Sequence, residues 1–388
     1  MMSKCGFYLE QKRRYCGMSA REGAGFCLEH SSDASDRVPC PLDRSHTVAK
    51  ANLKRHVKKC NKLKQNHQND QEEWYKPGLN SSSRTKVRET SLGDSLDECV
   101  AVVEKIYRAE FERLAPDQRE NEFMERTRCQ DVVSSKKHAI QQSSLIQHLQ
   151  ERGLLLDSSF VEFGCGRAEL SRYINQTVAD SKGDKPRYVL IDRASNRMKF
   201  DSKFRDDWTD LREDSGDHRF TKRCRVDIRD IWLDPLADSE RQYVAVSKHL
   251  CGVATDLALR ALENSAGMKL RGVCVAMCCR HVCDSSQYVN PEFVERLLRA
   301  YAPEEVSYEV FFQALRKMCS WATCGSRPEA NEEEAVVKRR EELGLMARRI
   351  VDEGRVRWVR EKLGLKAELV KYVEKEISLE NTALIASE

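Results

Sequence analysis

The sequence predicts an α/β chain: an open, mostly parallel sheet with helical additions, preceded by two small metal-stapled modules. Three observations carry that prediction. Eight Cys and His residues fall within the first sixty positions at ligand-like spacings. From residue 158 onward, short apolar runs alternate with amphipathic helices. The first of those runs ends in a Glu-x-Gly-x-Gly turn.

The chain has 388 residues with 66 Lys/Arg against 62 Asp/Glu, and 40% of them are apolar. That is length for two or three domains and enough apolar surface for at least one substantial core. No run of eighteen apolar residues occurs, which argues against a membrane-spanning helix. The opening MMSKCGFYLEQKRRYC lacks the apolar stretch and cleavage site of a secretory signal. The sixteen cysteines are therefore expected to be thiols and metal ligands in a reducing compartment, cytoplasmic or nuclear, not a disulfide framework.

The first sixty residues hold two sets of four ligands. Cys5, Cys16, Cys27 and His30 follow C-x10-C-x10-C-x2-H; Cys40, His46, His56 and Cys60 follow C-x5-H-x9-H-x3-C. Structural zinc takes four nitrogen or sulfur ligands in a tetrahedron. Cys27-x2-His30 is a one-turn knuckle. His56-x3-Cys60 puts two ligands on one face of a helix predicted over Ala49–Lys59. Each segment is too short to fold on a core of its own, and a metal repairs that. Two zinc ions are expected, in modules over 1–34 and 35–64. Charge is concentrated here too: residues 1–90 carry 18 Lys/Arg and 10 Asp/Glu, a net of +8. The basic residues Arg44, Lys50, Lys54, Arg55, Lys58 and Lys59 are the expected contacts to a phosphate backbone. The Lys/Arg cluster at 54–64 also reads as a nuclear signal.

Residues 65–96, rich in Asn, Gln, Ser and Lys, read as a flexible linker. The remainder, 97–388, is one α/β domain with N-terminal helices. ECVAVVEKIYRAEFERL places Val102, Val103, Ile106, Tyr107 and Phe111 on one helical face. A second helix is expected over His138–Arg152, closed by Gly153. Strands are predicted at 158–164, 187–192, 223–228, 242–248 and 271–277, with helices at Ala168–Ile174, Ala254–Leu262 and Glu292–Ala300 between them. This is the pattern of a parallel sheet. A helical region over 304–362 follows. Leu365–Ser378 and Asn381–Ser387 then pair as a closing hairpin.

Glu162-Phe163-Gly164-Cys165-Gly166 ends the first strand, and its glycines let backbone approach a ligand closely. Asp192, at the tip of the next strand, is placed to hold a ribose hydroxyl pair, and Asp227, ending the third, to face an adenine. The spacing from Gly166 to Asp192 is long for a dinucleotide unit, and Glu169 replaces the third glycine. Both departures favour S-adenosylmethionine over NAD, because it has no pyrophosphate to cradle. The fourth strand ends in SKHLCGVATDL, and a buried strand that yields Lys248-His249 is costly unless those groups serve a site. Cys278, Cys279, His281 and Cys283 occupy the same rim. They read as pocket lining or as a third metal site. Lining is preferred because adjacent residues of an extended chain face opposite ways.

EFGCGRAELS, LIDRAS, SKHLCGVATDLALR, AMCCRHVC, GLMARRIVDEGR and ENTALIAS together resemble the eukaryotic tRNA 2′-O-methyltransferases that modify nucleotide four of the acceptor stem. Arg280 departs from that family's His-rich run. CPLDRSH and LKRHVKKC resemble the CHHC zinc finger of RNA-associated proteins, and the first ligand set resembles the CCCH finger that precedes it in the same methyltransferase family. The resemblance implies use of S-adenosylmethionine, zinc binding and a tRNA acceptor stem as partner, with no membrane and no obligate protein partner. Ribose methylation needs a proton acceptor at the 2′-oxygen. Lys248 and His249 are the candidates. Lys248 is preferred, because neighbours on a strand cannot both face one methyl group. The competing readings are a methyltransferase of the same fold acting on another RNA, a protein, DNA or a small molecule, and a zinc-finger RNA-binding protein with an inactive cofactor domain.

Overall fold

The structure is a computed structural model, and it describes all residues except 1–3, 10–13, 21–24, 28–29, 31–36, 44–45, 89–90, 94, 132–134, 195–198, 209–220 and 324–332. The chain divides into two compact units, Met1–Glu73 and Trp74–Glu388.

Among the described residues the first unit has almost no apolar core, and in its first module the buried cluster of those residues consists of Cys5, Cys16 and Cys27. Short antiparallel pairings, Tyr8–Leu9 with Arg14–Tyr15 and Arg37–Pro39 with Thr47–Ala49, carry the two ligand sets. The helix expected over Ala49–Lys59 begins as a 3-10 turn at Lys50–Asn52 and becomes α-helical only over Leu53–Val57. A further helix, Asn61–Asn69, follows directly after Cys60.

The second unit is built on a seven-stranded sheet. Its strands are β1 (Ser159–Phe163), β2 (Tyr188–Ile191), β3 (Thr221–Cys224), β4 (Tyr243–Cys251), β5 (Leu270–Cys278), β6 (Lys366–Lys371) and β7 (Thr382–Ser387). Their spatial order is β6-β7-β5-β4-β1-β2-β3, with β7 antiparallel to both neighbours and β1 to β5 parallel. The order in which strands are added reverses between the parallel neighbours β1 and β4, which makes their carboxyl ends the topological switch point. Open sheets of this kind bind ligands at such a switch point. The expected closing hairpin is present, paired from Lys366↔Ser387 to Lys371↔Thr382.

Alternation along the strands fills both faces. Val161, Phe163, Val189, Ile191, Tyr243 and Ala245 enter one core, while Phe160, Leu190, Val244 and Val246 enter the other. The second core is covered by α2 (Lys136–Glu151) and α3 (Glu169–Asp180). A third apolar cluster joins α1 (Ser95–Glu110), α5 (Pro291–Tyr301), α6 (Tyr308–Trp321) and α7 (Glu334–Trp358). Between β4 and β5 runs α4 (Val253–Glu263). No helix among the described residues is long and apolar enough to cross a membrane.

Two expectations are corrected. The segment 65–96 is not a free linker. Residues through Asn69 extend a helix, and Trp74 is buried in the sheet core. From there Lys76 N–H donates to the Asp230 carbonyl, and the Asn80 amide donates to the carbonyls of Ile228 and Ile231 at 2.7 Å each. Further along, Arg84 pairs with Glu295 and Lys86 with Asp284, each at 2.8 Å. The third strand ends at Cys224, short of the expected 228, so Asp227 lies beyond it and accepts the Arg229 N–H that opens a 3-10 turn.

Candidate functional site

In the fingers, the predicted ligands converge. Donor atoms of Cys5, Cys16, Cys27 and His30 lie within 4.8 Å of one another, as do those of Cys40, His46, His56 and Cys60. The sulfur separations are 4.0 Å for Cys16–Cys27 and 3.8 Å for Cys40–Cys60. Two thiolates on one tetrahedral zinc, each about 2.3 Å from it, sit about 3.8 Å apart, so both donor sets fit zinc in chemistry and span. His30 is stacked on Phe7 at a 3.9 Å centroid distance, which fixes its ring beside the thiols. Chelation is expected to unfold these modules, because the metal replaces a core they do not have. Circular dichroism of the chelated full chain should lose the finger signal while the larger unit keeps its melting transition. Lys50, Lys54, Arg55, Lys58 and Lys59 are all exposed. Arg44 lies outside the described residues.

At the switch point, the glycine turn has the backbone its sequence predicts. Gly164 and Gly166 have φ of 64° and 51°, the left-handed region that glycine enters without penalty. A Cβ at Gly166 would meet nothing within 4 Å, whereas one at Gly164 would meet Leu250 Cδ1 at 3.3 Å. Asp192 lies at the turn. Its Oδ2 accepts the Gly166 N–H at 2.7 Å and its Oδ1 the Ala194 N–H at 2.7 Å. It therefore shapes the loop and keeps one lone pair per oxygen for a diol. Glu162 is buried, and its Oε2 accepts the Ser171 hydroxyl at 2.6 Å, which ties α3 to β1. Burial lifts its pKa to about 7, against the opposing effect of the Ser171 hydrogen bonds. Arg223 closes the turn from behind, donating to the Gly166 carbonyl at 3.0 Å and pairing with Asp201.

The rim of β4 differs from a regular strand. His249 has φ 66°, and the β4–β5 register shifts between Lys248 and Leu250. This bulge breaks the alternation that would send Lys248 and His249 to opposite faces. Both meet α2: Lys248 Nζ lies 2.8 Å from His138 Nδ1, and His249 Nε2 lies 3.1 Å from Gln141 Oε1. The argument from alternation therefore fails at this position, although both candidates remain at one site. Burial depresses the Lys248 pKa to about 8; Glu169 opposes the shift and Arg128 adds to it. His249 falls to about 4 through burial and then the Lys248 charge. The His138 pKa is also lowered, first by burial and then by Lys248. Arg128, almost wholly buried, pairs with Glu169 at 2.9 Å. The sequence reading gave no site role to His138, Gln141, Glu169 or Arg128, which come to this rim from α2, the start of α3 and a 3-10 turn at Arg128–Gln130.

Behind the rim lies a balanced ionic lattice. From α7, Asp352 takes a bidentate contact from Arg280 (2.7 and 3.1 Å), and Arg355 makes one to Asp256 (2.6 and 3.1 Å). Glu380 accepts from Arg280 at 2.6 Å and pairs with Arg348 at 3.0 Å. Arg280 also donates to the Met277 carbonyl and Arg355 to that of Gly252, so the lattice holds the ends of β5 and β4. Arg280 is thus a buried support of the strand end. Cys283 also points inward, accepting from Arg355 at 3.2 Å. Cys279, with φ 50°, turns back toward Cys278, so the opposite-faces argument fails here as well. The sulfurs of Cys251, Cys278 and Cys279 lie within 4.8 Å of one another.

Comparison with known proteins identifies the family. A family model described as "Methyltransferase TRM13" matches residues 140–387. The "CCCH zinc finger in TRM13 protein" matches 3–31 and the "U11-48K-like CHHC zinc finger" 37–61. Relatives named "tRNA:m(4)X modification enzyme TRM13" include that of Vanderwaltozyma polyspora, 43% identical over 99% of this chain and 97% of its own length. That of Kluyveromyces lactis is 44% identical over 99% and 95%, and that of Saccharomyces cerevisiae 39% identical over 98% and 95%. With the domain matched along most of its length, both fingers matched and relatives aligned almost end to end, the chain belongs to the TRM13 methyltransferase family.

Proposed function

We propose that this methyltransferase acts on tRNA, methylating the ribose 2′-hydroxyl of nucleotide four in the acceptor stem of a subset of tRNAs. The observation that carries the reading is Lys248: an amine of lowered pKa, paired with His138, on the strand beside the glycine turn. The relatives' name, "tRNA:m(4)X modification enzyme TRM13", supports tRNA as the substrate. S-adenosylmethionine, when bound, supplies an electrophilic methyl group. Gly164 and Gly166 leave room for it, and Asp192 offers acceptors for its ribose. Lys248 Nζ, as the free amine, takes up the 2′-hydroxyl proton. Its pairing with His138 holds the amine in place, and the lattice under Gly252 and Met277 fixes the strand ends that carry it. A paired stem displays its 2′-hydroxyls in a shallow groove, so no base need leave the stack. Transfer of a labelled methyl group to total tRNA, followed by alkaline hydrolysis, tests this. The ladder should skip nucleotide four, and a complete ladder or a base-methylated product would overturn the reading.

Docking is assigned to the finger charges. Lys54→Ala, Arg55→Ala and Lys58→Ala together should weaken tRNA binding and flatten its salt dependence by up to about three in slope, one per lost phosphate contact. Cofactor affinity should stay unchanged. An unaltered slope would reduce these charges to solubilising ones.

A further inference from the structure

We propose that Cys251, Cys278 and Cys279 bind a third metal ion, a thiophilic one such as zinc, at the carboxyl ends of β4 and β5. The two strands are in register there, with Cys251 beside Cys278. Their sulfurs are 2.8 Å apart, and no disulfide joins them. Cys279 would face away on a regular strand. Its left-handed backbone, which non-glycine residues rarely adopt, brings its sulfur to the same point. Three thiols meeting within 4.8 Å match the spans seen in the two fingers of this chain.

The donor chemistry selects the ion. Three soft sulfurs favour zinc over magnesium or calcium, which take oxygen ligands. Zinc held by three protein ligands keeps a fourth position, and Cys251, exposed on the rim, leaves that position open to solvent. Binding requires Cys251 and Cys278 to move apart by about 1 Å, to the roughly 3.8 Å separation that zinc imposes. Rotation of the exposed Cys251 side chain supplies this. The ion would tie β4 to β5 three residues beyond Lys248. It would do on the solvent side of the rim what Arg280 and Arg355 do on the buried side.

Elemental analysis of the full chain tests the site by difference, independently of how many ions the fingers hold. Cys251→Ser and the double variant Cys251→Ser/Cys279→Ser should each contain one equivalent of zinc fewer than the parent. Both positions are at least partly exposed, so these variants should fold, and an unchanged melting profile of the larger unit in cobalt-free buffer checks it. Cobalt substitution gives a second reading. The parent should show more thiolate-to-cobalt charge-transfer absorption than either variant, by an amount fitting three sulfurs. Equal zinc content and equal cobalt spectra in parent and variants would overturn the proposal. So would mass spectrometry finding Cys251 and Cys278 joined as a disulfide in freshly purified, metal-replete protein.

Discussion

Lys248→Ala is expected to lower the single-turnover methylation rate by roughly two to four powers of ten, the usual worth of a positioned proton acceptor, with tRNA binding close to normal. The pH profile gives the sharper test. With a pKa near 8, Lys248 is mostly the ammonium at pH 7 and mostly the amine at pH 9. The wild-type rate should therefore rise with pH and level off above about 8. Lys248→Arg keeps the positive charge but cannot deprotonate in this range, so its residual rate should lack that inflection. A purely structural lysine makes the opposite forecast: lowered thermal stability, and a preserved pH profile in whatever protein stays folded. His249, held near 4, is neutral throughout this range and contributes no inflection.

Much of the fold was legible because local signals and global structure coincide. The parallel strands announce themselves as apolar runs, and the closing hairpin as two such runs around Glu380. The convergence of the two Cys/His sets was readable because a short segment poor in apolar residues has little else to do with four Cys and His residues. What escaped the sequence has a common cause. His249 and Cys279 both occupy left-handed backbone, and a period of two predicts the wrong face wherever φ turns positive. His138 lies 110 residues from the lysine it meets, on a helix where its spacing looks like any other polar position. Arg348, Asp352 and Arg355 recur at helical spacing in a strongly charged helix. From sequence they resemble a solvated face, yet they form the buried side, because Arg280, Asp256 and Glu380 arrive from three other segments to pair with them. Removing one such partner would leave the buried charges out of balance, which is why the lattice fixes geometry more surely than it adds stability.

Gly166→Arg should abolish S-adenosylmethionine binding, and Gly166→Ala separates the two ways it could do so. Both replacements meet the same backbone demand, φ 51°, at a cost of about 1–2 kcal/mol in the folded state. Neither Cβ collides with protein, since nothing lies within 4 Å of it. The two variants should thus melt at similar temperatures. They differ in what they put into the open space beside the turn. Arginine fills it, and calorimetry should detect no cofactor binding; alanine leaves most of it free, and binding should weaken only modestly. Asp192→Ala is the companion. It removes the acceptor of two loop N–H groups and of the expected ribose contact, so affinity should fall by roughly 1–3 kcal/mol, about 5- to 150-fold. If Gly166→Arg instead bound the cofactor as tightly as Gly166→Ala, the space beside this glycine would not be where the cofactor lies, and Asp192 would be left with the loop as its only task.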